Sequence, residues 1–362
     1  MADSVRLAIS GFGLIGQRHA KAIAGLPEVS LVGVVEPGGD GRGAAAALGV
    51  PCYADLAEMI EAQTPDGVII ATPTPLHVAQ AMACIERKVP VLIEKPLATS
   101  VAEGIAVAQA ADARGVPILV GHHRRHNPLI KRAFEAIQAG DIGEVRAVQA
   151  TCWFYKPDSY FKQAPWRKQV GAGPISVNLV HDVDLIRHLC GEVRSVRAVA
   201  TPSRRGFANE DVAAAVLELE NGAIGTLTVS DSIAAPWSWE MTAQEHPVYP
   251  ATPESCYLIG GSKGALSVPD LRVWSHTGPE PDWWTPISAT SLTREAADPL
   301  VAQLAHFAAI ILGQTTPLVS GWEGLRTLEV VEALQVSAES GEVVRLGAEA
   351  DSPETWEGRE NG

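Results

Sequence analysis

The sequence predicts an α/β domain built on a doubly wound parallel sheet, followed by an α+β domain on a large, open, mostly antiparallel sheet. Three observations carry this expectation. A glycine loop, GFGLIG at 11–16, stands between an apolar run and a helical pattern. Up to residue 122, short apolar runs alternate with helical stretches. Beyond it, polar–apolar alternation with Asn-Gly and Gly-Gly punctuation takes over, as in strands with one wet face.

In the first part, strands are expected at 5–10, 31–35, 68–71, 89–93 and 118–120. They carry few charges, as strands buried on both faces do. Helices are expected from the glycine loop to about residue 24 and at 55–63, 76–87 and 101–114. The strands end at turn chemistry: Gly11, Pro37, Thr72-Pro73, Lys95-Pro96 and Gly121. A helix at 129–139 then leads into strands at 145–154, 193–200, 212–218, 224–230, 238–242 and 257–259, flanked by helices at 178–190, 299–312 and 321–340. The domains are expected at 1–122 and 123–346, with 347–362 as an acidic, solvated and disordered tail.

Composition narrows the function. The chain has 362 residues, about twice the common domain size. Its 42 acidic and 28 basic residues give a net charge of −14, the wrong sign for a phosphate-backbone partner, so no nucleic acid is expected. No apolar run approaches the ~20 residues that cross a bilayer, so no membrane is expected either. Five scattered cysteines form neither a CxxC pair nor a disulfide framework. The N-terminus enters a strand pattern directly, and the expected compartment is the cytoplasm.

The glycine loop is the first chemical signal. Gly11 permits the tight turn, Gly13 lets backbone amides approach a pyrophosphate, and Gly16 lets helix and strand pack closely. Phe12, Leu14 and Ile15 complete the loop, and the helix that opens there offers free N–H groups to phosphates. Glu36 ends the second strand 20 residues after Gly16, where an acid accepts bonds from the adenosine ribose. A carboxylate there repels a 2′-phosphate, so NAD is favoured over NADP. The second signal is ATPTPLH at 71–77 with EKPLA at 94–98, both at strand carboxyl ends, where such sheets bind ligands. Thr72, Pro73, Thr74, His77, Glu94 and Lys95 are therefore cofactor-side candidates. Lys95 is also placed to stabilise an alkoxide.

These motifs, with GHHRRHNP at 121–128, PWRKQVGAGP at 165–174 and NLVHDVDLIRHLCGE at 178–192, resemble the glucose–fructose oxidoreductase, inositol dehydrogenase and rhizopine-catabolism (Gfo/Idh/MocA) family. The resemblance spans about 1–346. It implies an N-terminal Rossmann domain and NAD(P)-linked oxidation or reduction of a sugar, polyol or similar alcohol. It also implies a homodimer or homotetramer formed through the C-terminal sheet. By the same resemblance Lys95 orients the reacting oxygen, and His181 accepts the proton of an oxidised alcohol.

One position departs from the family pattern. The family often carries an Asp four residues before this His, and here that residue is Val177. Either Asn178 and a water substitute, or a carboxylate comes from elsewhere, with Asp182 and Asp184 nearest. Asp184, at i+3 from His181, shares its face and matches a family position that reaches substrate hydroxyls; Asp182 faces about 100° away. Arg125, Asn127 and Arg167 are further substrate candidates, and Trp166 joins them because it abuts Arg167.

Other residues read as background. His122, His123 and His126 have poor ligand geometry and no cysteine beside them, so no metal is expected. His188 reads as packing, Arg204 and Arg205 as solvated, and Trp153, Trp283 and Trp284 as packing. Two rival functions stand beside the main one. The first is a cis-dihydrodiol or carboxylated-ring dehydrogenase of the same family. The second, kept alive by Val177, is a non-catalytic dinucleotide-binding regulatory protein.

Overall fold

The computed structural model describes residues 4–276, 278 and 281–347. The tail expected at 347–362 lies, but for Gly347, outside the described residues. Six strands form the first sheet: β1 (Val5–Ser10), β2 (Val29–Val35), β3 (Cys52–Tyr53), β4 (Gly67–Ile70), β5 (Val91–Ile93) and β6 (Ile118–Val120). All pair in parallel, in the order β3-β2-β1-β4-β5-β6. The order reverses direction at β1, and a crevice opens there at the strands' carboxyl ends. Leu7, Ile9, Ile69, Ile70, Leu92 and Ile93 are fully buried in it, which is why these strands tolerate so little charge.

Two elements of this domain were not anticipated. The helix Gly39–Ala47 contains Gly39, Gly41 and Gly43, each costing about 1 kcal/mol against Ala, so local propensity hides it. Strand β3 has 2 residues, too few for a pattern.

Nine strands form the second sheet: β7 (Val145–Trp153), β8 (Val193–Pro202), β9 (Glu210–Leu219), β10 (Ile224–Ser230), β11 (Tyr257–Gly261), β12 (Gly264–Val268), β13 (Arg272–His276), β14 (Ile287–Ser291) and β15 (Val344–Arg345). Their order is β14-β13-β12-β11-β7-β10-β9-β8-β15, antiparallel throughout except where β7 meets β10. Along β9 buried residues alternate with more exposed ones, so one face packs inward and the other is open. The helices Pro128–Gln138, Leu179–Cys190 and Gly321–Ser340 cover the inner face. The strand expected at 238–242 is instead a helical turn, Trp239–Thr242, whose N-cap Ser238 accepts from Met241 N–H. Trp239 and Thr242, three apart, are the buried pair, a helical rather than a strand spacing.

The chain returns to the first sheet near its end. Leu304 and Phe307 of the helix Pro299–Ile311 are fully buried in the first core. Gly67 makes room for this helix: a Cβ there would lie 2.7 Å from Ile311 Cδ1 and 3.0 Å from Phe307. Val120 N–H donates to Val319 O at 2.8 Å, so β6 gains a partner from that same segment. The helix Leu179–Cys190 packs in the second core. Every residue of it but His188 is buried, so each charge it carries needs a partner inside the protein.

Candidate active site

The glycine loop has the shape its spacing implies. Gly11 has φ +88°, and a Cβ on it would meet the Ala71–Thr72 backbone at 2.7 Å. A Cβ on Gly16 would lie 2.1 Å from Gly11 O. A Cβ on Gly13 would meet nothing of the protein within 4 Å. Two of the glycines are thus demanded by the fold, and the third keeps space open for something else. The helix Leu14–Ile23 begins there with no side-chain cap and no acid in its first turn, so its leading amides stay free for an anion. Glu36 stands beside the loop, its Oε2 accepting Phe12 N–H at 2.9 Å. These residues fit a dinucleotide: amides for the pyrophosphate, an acid for the ribose, and an open cradle at Gly13.

The two strand-end loops are tied to each other. His77 is buried, with ring nitrogens 2.8 Å from Thr72 O and 2.9 Å from Pro96 O, so it braces the loops rather than facing the crevice. Thr72 donates to Gln80 at 3.0 Å, and the turn Thr74–Leu76 follows Pro73. Glu94 points inward to His19 Nε2 at 2.8 Å and accepts Lys95 N–H at 3.2 Å. Burial acts to raise the Glu94 pKa, but the His19 bond and neighbouring cations hold it below the usual range. Burial lowers the Lys95 pKa; Glu94 opposes this, while Arg124 and Lys156 add to it.

His181 lies in the helix Leu179–Cys190, its ring centroid 5.4 Å from that of His123 and 6.4 Å from that of His122. Its Nδ1 is buried without a partner among the described residues, which leaves Nε2 as the nitrogen that meets the cleft. Burial, then Lys95, Arg124, His123 and His122, hold it well below the usual imidazole range, so the ring is neutral. Asp184, on the same face, has both oxygens engaged by Arg125, at 2.8 and 2.9 Å, and also accepts from Thr327 at 3.1 Å. Asp182 accepts from Tyr257 OH. Burial pushes its pKa up to about 6, against Arg124 and the Tyr257 bond.

A cleft of about 500 Å³ joins the two domains at this point. Leu14, Ile15 and Arg18 line it from the glycine loop side. His123, Arg124, His181, Trp239, Glu240, Glu245, His246 and Tyr249 line the other, with Asp298, Pro299 and Leu300 beside them. Arg18 pairs with Asp298 at 2.6 Å across the joint. Glu245 accepts from His123 at 3.0 Å, Asn127 at 2.9 Å and Trp239 at 2.8 Å. Against burial, the His123 bond and charge, the Arg124 charge and the Trp239 bond hold its pKa down at about 2. Asn127 also caps the helix Pro128–Gln138 through Leu129 N–H, so it reaches the site only by way of Glu245. Asn178 accepts from Lys156 Nζ at 2.7 Å, a buried lysine that the motif reading did not single out. Glu240, Glu245 and Lys156 escaped that reading because they come from segments without a motif; the signal available was a charge set among aromatics, as in WFYKP and SWEM.

The remaining candidates fall elsewhere. Trp166 is 57% exposed and lines none of the cleft. Arg167 stacks 3.9 Å over Tyr160 and donates to Tyr160 O at 2.7 Å. Arg205, expected to be solvated, pairs with buried Asp231 at 2.7 Å. His126 faces His306 at 5.1 Å, and His188 stacks on Phe134 at 4.5 Å. Trp283 and Trp284, expected to pack, are 84% and 82% exposed. Among the described residues no group of three or more His, Cys, Asp or Glu is arranged to hold a metal ion, and no helix is long and apolar enough to cross a membrane.

Comparison with known proteins gives this geometry a context. A family model described as an oxidoreductase family with an NAD-binding Rossmann fold matches residues 5–122, and one described as a GFO/IDH/MocA C-terminal domain matches 130–267. The scyllo-inositol 2-dehydrogenase (NAD(+)) of Bacillus subtilis is 28% identical, covering 96% of this chain and 97% of that one. The rhizopine catabolism protein MocA of Rhizobium meliloti is 31% identical, over 62% of this chain and 70% of its own. Among solved structures, the WlbA dehydrogenase of Bordetella pertussis, in complex with NADH and UDP-GlcNAcA, superposes with a TM-score of 0.78 at 25% identity, covering 95% of this chain and 99% of that chain.

Proposed function

Because the chain belongs to the Gfo/Idh/MocA oxidoreductase family, we propose that this NAD-binding dehydrogenase oxidises a secondary alcohol of a sugar, polyol or similar small molecule. The observation that carries the reading is one continuous cleft, lined at one end by Leu14 and Ile15 of the dinucleotide loop and at the other by His181. Gly11, Gly13, Gly16 and Glu36 would hold the dinucleotide, which when bound supplies the acceptor for the carbinol hydride. His181, neutral and open at Nε2, accepts the hydroxyl proton. Lys95 donates to the same oxygen and stabilises the negative charge that grows there. The acids and tryptophan of the far wall suit a ligand rich in hydroxyls, and Glu245, kept ionised by three donors, accepts from one of them.

NAD is the preferred cofactor, because Glu36 leaves no room in charge for a 2′-phosphate. The second sheet's open face carries Val199, Val216, Ile224 and Leu258 exposed, which supports a homodimer or homotetramer formed there. The test is incubation with NAD and a panel of polyols, sugars and dihydrodiols, reading the absorbance of the reduced cofactor. A sugar or polyol is expected to turn over, with Lys95→Ala losing turnover by orders of magnitude while NAD affinity stays within severalfold. Turnover of dihydrodiols alone would move the assignment to that rival substrate, and no turnover by any member would favour the regulatory reading.

A further inference from the structure

Among the buried lysines and arginines of the second domain, Arg124, Arg125 and Arg187 each hold a carboxylate, at 2.6, 2.8 and 2.8 Å. Lys156 is the exception. It is 6% exposed, and among the described residues no carboxylate oxygen lies within 4.0 Å of its ammonium. A buried cation without a counter-charge is costly, so its place here calls for an anion that the chain does not supply.

The lysine is firmly held. Its backbone N–H donates to Asp231 O at 2.8 Å, and its carbonyl accepts from Arg205 at 3.1 Å. The Asp231 carboxylate is itself taken by Arg205, at 2.7 Å. Lys156 Nζ donates to Asn178 Oδ1 at 2.7 Å, and an ammonium has three donors, so two remain. Burial lowers its pKa, with Asp231 foremost among the charges that oppose this; a bound anion would act in the same direction as Asp231.

A second cation shares these surroundings. Lys156 Nζ lies 5.1 Å from the centroid of the Tyr160 ring, and the guanidinium carbon of Arg167 lies 3.9 Å from the same centroid. Arg167 Nη1 donates to Tyr160 O at 2.7 Å, while its buried Nε has no partner among the described residues. Arg167 too lacks a carboxylate within 4.0 Å among them. Tyr160 and Arg167 are half-buried, so the group opens outward and Lys156 closes its inner end.

The two cations stand beside the cleft lining rather than within it, and two contacts tie them to the cleft. Asn178, the partner of Lys156, precedes His181 by three residues, and its carbonyl accepts the His181 N–H at 3.1 Å. Side chains so spaced on a helix lie roughly 5–6 Å apart. From the other side Phe154, two residues before Lys156, meets the cleft residue Tyr249 edge-on at 5.2 Å.

We propose that Lys156 and Arg167 form a subsite for an anionic oxyacid group of the substrate, a carboxylate or a phosphate, so that the enzyme takes an acidic sugar or polyol in preference to its neutral parent. Lys156 supplies the inner charge and two free donors, and Arg167 closes on the anion from the surface side. The proposal rests on the dehydrogenase reading for its kinetic consequence and on binding alone for its test.

Whole protein loaded with NADH is titrated in a calorimeter with galacturonate and with glucose 6-phosphate, each against its neutral parent, galactose and glucose. At least one acid should bind about tenfold tighter than its parent, and the arm that shows the margin tells which oxyacid the subsite takes. Lys156→Gln removes the charge but keeps an N–H for Asn178, so it should cut that margin severalfold, and Arg167→Gln should cut it too. Acids that bind no tighter than their parents, or a margin that survives in both variants, overturn the proposal. Should Lys156→Gln fail to fold, Arg167→Gln decides alone, because its side chain is only half-buried. Tight binding of an acid that is never oxidised would keep the subsite and sink the enzyme reading. Turnover of neutral sugars with no margin for acids would keep the enzyme reading and sink the subsite.

Discussion

Arg125 holds Asp184 by two parallel hydrogen bonds, Nε at 2.9 Å and Nη2 at 2.8 Å, and turns Nη1 to Glu323 at 3.1 Å. The pair is buried, and it joins the turn after β6 to the helix of His181 and to the helix Gly321–Ser340. Removing one partner of a buried pair leaves the other charge uncompensated, at a cost of roughly 3–5 kcal/mol. Asp184→Ala should therefore unfold at markedly lower urea, with KM for substrate little changed in the protein that remains folded. Wild-type stability with a large rise in KM would instead make Asp184 the substrate ligand that the motif suggested.

The first sheet was legible because its strands are short unbroken apolar runs and its glycine loop obeys steric rules that leave few options. Gly11 and Gly16 cannot be other residues without displacing backbone. The cleft was legible only on its first-domain side and at His181. Its far wall is set by tertiary pairing: the same i+3 spacing that put Asp184 on the face of His181 said nothing of Arg125, which arrives from 59 positions away. Likewise, Glu240 is an unremarkable acid in sequence, and only the fold brings it beside Arg124, from 116 positions away. Strands β12 to β14 were missed because each has 5 residues, and β12 and β14 are rich in Gly, Ser and Thr, with pairing rather than pattern holding them together.

Glu36 gives the second prediction. Its carboxylate both accepts Phe12 N–H at 2.9 Å and stands where a ribose would bind. Glu36→Ser should weaken NAD use and narrow its advantage over NADP, measured as the ratio of kcat/KM for the two cofactors. A wild type that prefers NADP by about tenfold, some 1.4 kcal/mol, would show that this strand end reads the cofactor differently.

His122 supplies a stability prediction. Burial lowers its pKa from 6.5 to about 4, Asp184 opposing and Arg125 adding to the effect. The unfolded chain therefore binds this proton first as the pH falls. The contribution is whole above 6.5 and is lost between 6.5 and about 4, amounting to about 3 kcal/mol. Asp182 works in the opposite sense, its pKa raised from 3.8 to about 6, so the wild-type curve blends the two. His122→Gln isolates the histidine: between pH 7 and pH 4 its urea-unfolding free energy should fall by about 3 kcal/mol less than that of wild type. Parallel curves would mean that the buried ring takes up its proton over the same pH range in the folded protein as in the unfolded chain.

The last prediction concerns His181 and Val177. Burial and the cations around it hold His181 well below 6.5, and no acid stands one turn back to oppose them. Only the neutral ring accepts a proton, so alcohol oxidation should already be on its plateau with respect to this group at neutral pH, with the falling limb on the acid side of 6.5. His181→Gln should lower turnover strongly and remove that limb. Val177→Asp places a carboxylate four residues before the ring, at the end of the short helix Pro174–Val177 that precedes the helix of His181. A negative charge there favours the imidazolium, so the limb should move toward neutral pH and oxidation at pH 6 should slow relative to pH 8. Position 177 is half-buried, and part of the new acid's cost should appear as lower stability. The measurement is kcat against pH for wild type and both variants, with cofactor and substrate saturating. A limb that persists in His181→Gln would exclude this histidine as the base and shift the role to another titrating group of the cleft, with His123, 5.4 Å away ring to ring, the first to be replaced in its turn.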